Sequence, residues 1–211
     1  MGYTRIKICG VTRPDDARAA AAAGADAVGL VFHPPSSRAL ELEAALAVVA
    51  ALPPFVTTVG LFLDPEAERV RSVLERVELD LLQFHGSEPA EFCASFGRPY
   101  IKAVSMAGGE DPAALAAAHP AARGVLADSH VAGQAGGTGK AFAWERLPRQ
   151  REYRLILAGG LTPDNAAEAV RQVRPDAVDV SSGVEQAPGV KDHARVRRFI
   201  EEVRSGDRSE A

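Results

Sequence analysis

The chain has 211 residues, 46% of them hydrophobic and 25% charged, the balance of a globular protein with enough length for one sizeable core. A formal charge of -4 argues against general affinity for nucleic acid or anionic membrane, while leaving room for a local basic site that holds a small anion. No apolar run approaches membrane length and no leader pattern opens the chain, so a cytoplasmic location is expected, with Cys9 and Cys93 as free thiols that lack metal-ligand spacing.

Short β-rich apolar runs alternate with alanine-rich helical stretches at about 20 to 30 residues per pair, the rhythm of parallel βα units. Strands are expected over 5–9, 27–32, 55–63, 79–84, 100–104, 124–128, 155–158 and 177–180. The helices between them are expected over 14–23, 41–51, from Asp64-Pro65 onward, 88–96, 112–118, briefly around Trp144, over 163–171, and finally over 193–204. Eight units with no linker between them predict one α/β domain, a (β/α)8 TIM barrel spanning 1–204, with 205–211 as a polar, fraying tail. An open doubly wound sheet would have two edges and normally fewer strands.

A barrel of this kind carries its chemistry at the C-terminal strand ends and the loops that follow. On strand one, alternation puts Ile6 and Ile8 on one face and Lys7 and Cys9 on the other, so a charged amine and a thiol point the same way. Lysine is almost never buried without a partner. Asp179, on the strand expected to neighbour strand one, is the predicted counter-charge, and Lys102 is expected to play a similar part near Asp128. A cation beside Cys9 would favour its thiolate. Cys93, in a helical stretch, reads as inert packing.

The second exit offers Arg38, whose guanidinium could fork onto a carboxylate or phosphate. The fourth offers Gln83 and His85 on one face, and the sixth ends an apolar strand on Asp128, a carboxylate that is costly there unless paired or functional. After it comes a glycine-rich insertion with Gly137 and Gly139, suited to covering a phosphate. Gly159 and Gly160 at the seventh exit, and Ser181, Ser182 and Gly183 at the eighth, let backbone amides approach an anion. The turn at Pro188-Gly189-Val190 could supply the short helix that often completes such a site. Each residue also has an ordinary explanation: a core thiol, a solvated arginine, a structural histidine, a turn-capping aspartate, a glycine turn.

With these residues in order, the chain resembles the phosphoribosylanthranilate isomerase family of tryptophan biosynthesis from about Arg5 to Arg204. The carriers are Lys7-Ile8-Cys9-Gly10-Val11-Thr12, Gly24-Ala25-Asp26-Ala27-Val28-Gly29, Gln83-Phe84-His85-Gly86 with Glu88, Gly136-Gly137-Thr138-Gly139-Lys140 with Phe142 and Trp144, and Val178-Asp179-Val180-Ser181-Ser182-Gly183-Val184-Glu185 with Pro188-Gly189 and Lys191-Asp192. The resemblance implies a cofactor-free, metal-free Amadori rearrangement of N-(5-phosphoribosyl)anthranilate to 1-(2-carboxyphenylamino)-1-deoxyribulose 5-phosphate. Asp128 would be the general acid and Cys9 the general base; Arg38 would grip the anthranilate carboxylate, Gln83, His85 and Asp179 would face the substrate, and the glycine and serine loops would hold its phosphate.

The partner implied is that phosphorylated amino-sugar, with no nucleic acid or membrane, and the protein itself a monomer or homodimer. Ala39, after the loop arginine, replaces a residue that is often bulky, and Asp128 sits in a less usual context between Ala127 and Ser129-His130. Competing readings are the histidine-pathway or a dual-substrate aminoaldose isomerase, a non-catalytic phosphate-binding barrel, and a cysteine redox sensor. One phosphate cradle rather than two argues against the first, and Cys9 with Asp128 against the second. The absence of a second cysteine nearby in sequence argues against the third.

Overall fold

Eight parallel strands hydrogen-bond in chain order and close on themselves in the computed structural model, which describes residues 3–129 and 143–208. They are β1 (Arg5–Cys9), β2 (Ala27–Val31), β3 (Thr57–Phe62), β4 (Leu81–Phe84), β5 (Tyr100–Ser105), β6 (Val125–Asp128), β7 (Leu155–Leu157) and β8 (Ala177–Val180). Closure is made by β8 against β1, with Arg5 opposite Ala177 and Lys7 opposite Asp179. Outside them lie α1 (Pro14–Ala23), α2 (Leu42–Ala50), α3 (Ala67–Leu74), α4 (Ala90–Ala94), α5 (Pro112–Ala118), α6 (Ala166–Val173) and α7 (His193–Arg208). The architecture is the expected barrel, and among the described residues no helix is long and apolar enough to cross a membrane.

Strand alternation creates two cores. Outward residues such as Ile6, Ile8, Val28, Leu30, Phe62, Phe84 and Val178 pack against the helices. Phe32, Phe62, Phe84, Phe92, Phe96 and Tyr100 form a run of ring contacts behind strands two to five, with centroids 5.1 to 6.2 Å apart. Such pairs contribute about 0.5–1.5 kcal/mol each beyond their buried area. Inward residues Ile101, Ala103, Leu126 and Ala158 fill the barrel itself, with Leu81 and Ile156 against them. That plug leaves the last inward residue of each strand to face the mouth.

Local chemistry explains where the elements depart from their expected bounds. α4 is shorter than 88–96 because the Glu88 carboxylate accepts hydrogen bonds from the Asp64 and Gly86 amides, which holds 86–89 as a turn outside the helix. α6 starts at Ala166 rather than at 163, since Asn165 takes the Thr162 amide on Oδ1 and donates Nδ2 to the Gly160 carbonyl. The last helix runs to Arg208, so the first residues of the expected tail are helical: Asp207 accepts from the Thr4 amide and hydroxyl and ties this turn to the start of the chain. Residues 209–211 lie outside the described residues. α7 buries Val196, Phe199, Ile200, Val203 and Gly206, a three-and-four spacing that makes one apolar stripe.

The turn at Pro188-Gly189 is not a helix. It joins a small antiparallel hairpin, β9 (Glu185–Ala187) with β10 (Val190–Lys191), and the helical turn at this exit is the 3-10 turn Ser182–Val184. Thr12 donates its hydroxyl hydrogen bond to the Gly189 carbonyl and seats the hairpin over the end of β1.

Candidate active site

The barrel mouth opens into a cavity of about 420 Å³. Cys9, Arg38, Gln83, His85, Asp128, Gly159, Gly160, Asp179, Ser181, Ser182 and Gly183 all line it, from six different strand exits. Gly137 and Gly139, like His130, lie outside the described residues. Val31, Pro35, Leu61 and Leu63 supply an apolar wall. Among the described residues no group of three or more His, Cys, Asp or Glu side chains is arranged to hold a metal ion.

At the floor, Lys7 points inward and its ammonium lies 2.9 Å from Asp179 Oδ1, both side chains under a tenth exposed. Burial opposes the charge on Lys7, but Asp179 and Cys9 outweigh it, and the lysine pKa is pushed up to about 12. Cys9, one step above Lys7 on the same face, behaves differently from expectation. Burial pushes its thiol up; Lys7 pulls the other way, and the Asp179 charge adds to the rise. The neighbouring cation is already committed to a carboxylate, so desolvation prevails and the thiol is the resting form.

This has a direct readout. Iodoacetamide is expected to label Cys9, which lines the open cavity, and to leave Cys93, which is fully buried with its pKa pushed up to about 12. Burial favours the neutral thiol, so the labelling rate should climb with pH through a midpoint above the ordinary thiol value of about 8.5. A midpoint near neutrality, read by mass spectrometry of quenched time points, would contradict the assignment.

Across the mouth, Asp128 ends β6 opposite Ser105. Its Oδ2 lies 3.3 Å from His85 Nε2, and His85 Nδ1 lies 2.9 Å from Gln83 Nε2. With the amide in that orientation, Nδ1 accepts and the Nε2 proton faces the carboxylate. The imidazole beside Asp128 among the described residues therefore comes from the fourth exit. Lys102 does not serve Asp128: its register partner on β6 is Val125, so it faces outward, where its ammonium pairs with Glu88 at 3.2 Å and donates to the Gly86 carbonyl at 2.6 Å. Alternation within one strand says which residues share a face, not which face is inside.

The β8 exit is built from backbone. The 181–184 turn lies so close to the β7–α6 loop that a Cβ on Gly183 would collide with the Leu161 carbonyl. Gly159 and Gly160 both take left-handed φ values of 79 and 67 degrees, and their loop is braced by Asn165. The two segments thus meet as a concave backbone wall with Ser181 and Ser182 on one side. Such a wall of amides suits an anion.

Two residues to which the sequence assigns no role lie buried behind the mouth, in contact with residues that line it. Glu185 accepts from Arg38 Nε at 2.8 Å and from its Nη2 at 2.6 Å, so the guanidinium already forks onto a carboxylate of the protein. Lys191 donates to the same Glu185 at 2.8 Å and to the Ser181 carbonyl at 3.2 Å. Burial lowers the lysine pKa against the pull of Glu185, while Glu185 is held below the usual carboxylate range because Arg38 and Lys191 outweigh its own burial. The available signal was their place immediately after the serine loop, where buried charge has reason to occur only in pairs.

Comparison with known proteins agrees with this architecture. The family model described as N-(5'phosphoribosyl)anthranilate (PRA) isomerase matches residues 6–202. An N-(5'-phosphoribosyl)anthranilate isomerase from Pseudomonas aeruginosa is 55% identical over 210 residues, covering 100% of both chains. The crystal structure of phosphoribosyl anthranilate isomerase from Thermotoga maritima superposes with a TM-score of 0.85 at 40% identity, over 96% of this chain and 99% of that one. A further structure of such an isomerase, in complex with reduced 1-(o-carboxyphenylamino)-1-deoxyribulose 5-phosphate, gives a TM-score of 0.78 at 36% identity over the same shares.

Proposed function

Because the chain belongs to the N-(5'-phosphoribosyl)anthranilate isomerase family, we propose that it catalyses the Amadori rearrangement of N-(5'-phosphoribosyl)anthranilate within tryptophan biosynthesis, with Asp128 as general acid and Cys9 as general base. The observation that carries the assignment is that Cys9 and Asp128, from the first and sixth exits, line one cavity together with the backbone wall of the seventh and eighth.

Asp128 donates a proton to the ring oxygen as the C1–O bond breaks, and the anthranilate nitrogen lone pair forms the C1=N iminium. Cys9, after giving its thiol proton to solvent, removes the C2 hydrogen as thiolate, and the electrons of that bond pass to C1–C2 while the iminium electrons return to nitrogen. The enolamine then shifts a proton from the 2-hydroxyl to C1, giving the ketone. The enzyme has lost a proton at Asp128 and regained one at Cys9, and exchange with water resets Asp128. An acid and a base acting on different atoms of one sugar must approach from different sides, which opposite exits allow.

The remaining residues would bind. The apolar wall of Val31, Pro35, Leu61 and Leu63 suits an aromatic ring, and Arg38 reaches its carboxylate with the guanidinium edge that Glu185 does not occupy. Asp179, Gln83 and His85 face the sugar, and Gly159, Gly160, Ser181, Ser182 and Gly183 take the phosphate. Freshly prepared N-(5'-phosphoribosyl)anthranilate should lose its anthranilate fluorescence at a rate proportional to added enzyme. No turnover would refute the proposal, and equal rates on the histidine-pathway aminoaldose would replace it with a dual-substrate enzyme.

A further inference from the structure

Arg38 is held from two directions. Its stem lies across Gly10, whose φ of 68 degrees keeps a side chain away and where a Cβ would collide with Arg38 Cδ. Behind it, Glu185 takes Nε and Nη2, one bidentate edge of the guanidinium. Glu185 cannot swing aside, because its Oε1 also receives the Lys191 ammonium, whose side chain is fully buried and tied to the Ser181 carbonyl. Arg38, Glu185 and Lys191 together carry one net positive charge, 13% exposed at its Arg38 end and closed elsewhere. The charge thus faces the cavity through the free end of Arg38.

A guanidinium has a second bidentate edge, made by its two terminal nitrogens, and a carboxylate held on the first edge fixes the direction of the second. We propose that Glu185 is a positioning residue: it touches no reacting atom, but it aims the terminal edge of Arg38 at the carboxylate of the substrate and, through Lys191, sets that arm at a fixed distance from the Ser181 loop. This rests on the reading of Arg38 as the carboxylate ligand and extends it. Two ends of one substrate, a carboxylate and a phosphate, are then gauged by a single buried chain of charges, Arg38–Glu185–Lys191–Ser181. The sequence places Glu185 on β9 directly after the serine loop, and the hairpin exists to carry Glu185 and Lys191 side by side, with Lys191 paired opposite Glu185.

The test compares two ligands on three proteins. Reduced 1-(2-carboxyphenylamino)-1-deoxyribulose 5-phosphate and its phenylamino counterpart lacking the carboxylate are titrated calorimetrically against wild type, Glu185→Gln and Arg38→Met. Glu185→Gln is expected to weaken the carboxylated ligand about tenfold to a hundredfold, the scale of one charge-assisted hydrogen bond, and to move the other ligand less than about threefold on that scale. In turnover the same variant should raise KM by a similar factor with kcat nearly unchanged. Equal weakening of both ligands would overturn the proposal in favour of a purely structural glutamate. If Arg38→Met also fails to discriminate between the ligands, the reading of Arg38 itself is wrong; if it discriminates and Glu185→Gln does not, only the positioning role falls. Should Glu185→Gln lose its far-ultraviolet circular dichroism, Glu185→Asp, which keeps the charge and withdraws it by one methylene, carries the same comparison.

Discussion

Replacing Asp128 by asparagine is expected to lower turnover about 10²- to 10⁴-fold, and replacing Cys9 by serine to do the same, with melting temperature and circular dichroism close to wild type. Asparagine keeps the shape of Asp128 and its contact with His85, but it has no acidic proton for a ring oxygen. Serine keeps a small group over Lys7, but its hydroxyl ionises far less readily than even a thiol raised by burial. The two groups act in one sequence of proton transfers, so the double variant should be little slower than the worse single one. A single variant that retains turnover within about threefold of wild type, far less than loss of a positioned acid or base costs, would remove that residue from the chemistry.

The second large effect concerns stability. Lys7→Met is expected to destabilise the fold by about 3–5 kcal/mol, because it strands the Asp179 carboxylate at the floor of the barrel without its counter-charge. The pair is short, and both side chains are buried in the seam where β1 closes against β8. Adding Asp179→Asn should restore most of the loss, since a neutral amide beside methionine is cheap compared with a lone charge. Activity should stay low, as Asp179 is expected to face the sugar. Urea unfolding checks this: a loss below about 1 kcal/mol in Lys7→Met, the range of an exposed ion pair, would mean that water reaches the pair.

The parts legible in the sequence are those set by short-range rules and by the closure of the barrel. Short β-rich apolar runs between alanine-rich stretches place all eight strands within a residue or two, and closing the barrel makes Lys7 and Asp179 neighbours. Most of what escaped depends on side-chain contacts and registers that no local pattern decides. Lys102 was expected near Asp128 because alternation leaves the inward face undecided; the register of β5 on β6 decides it. The link from Arg38 to Glu185 joins residues far apart in the chain, and nothing local announces it. The Cys9 thiol was expected to ionise more readily because a cation stands beside it, but the competition between that cation, Asp179 and burial is a property of the assembled floor. The hairpin of β9 and β10 escaped because Pro188-Gly189 is equally at home before a helix or between short strands.

One measurement tests the central claim, that a thiol and a carboxyl group flank a single sugar whose phosphate sits on the far wall. It is a crystal structure of this protein with reduced 1-(2-carboxyphenylamino)-1-deoxyribulose 5-phosphate. The account predicts C2 about 3–3.5 Å from Cys9 Sγ, the former ring oxygen hydrogen-bonded to Asp128, and the phosphate against the amides of Gly160 and Gly183. A ligand bound with its phosphate beside Arg38, or with C2 beyond the reach of Cys9, would contradict it.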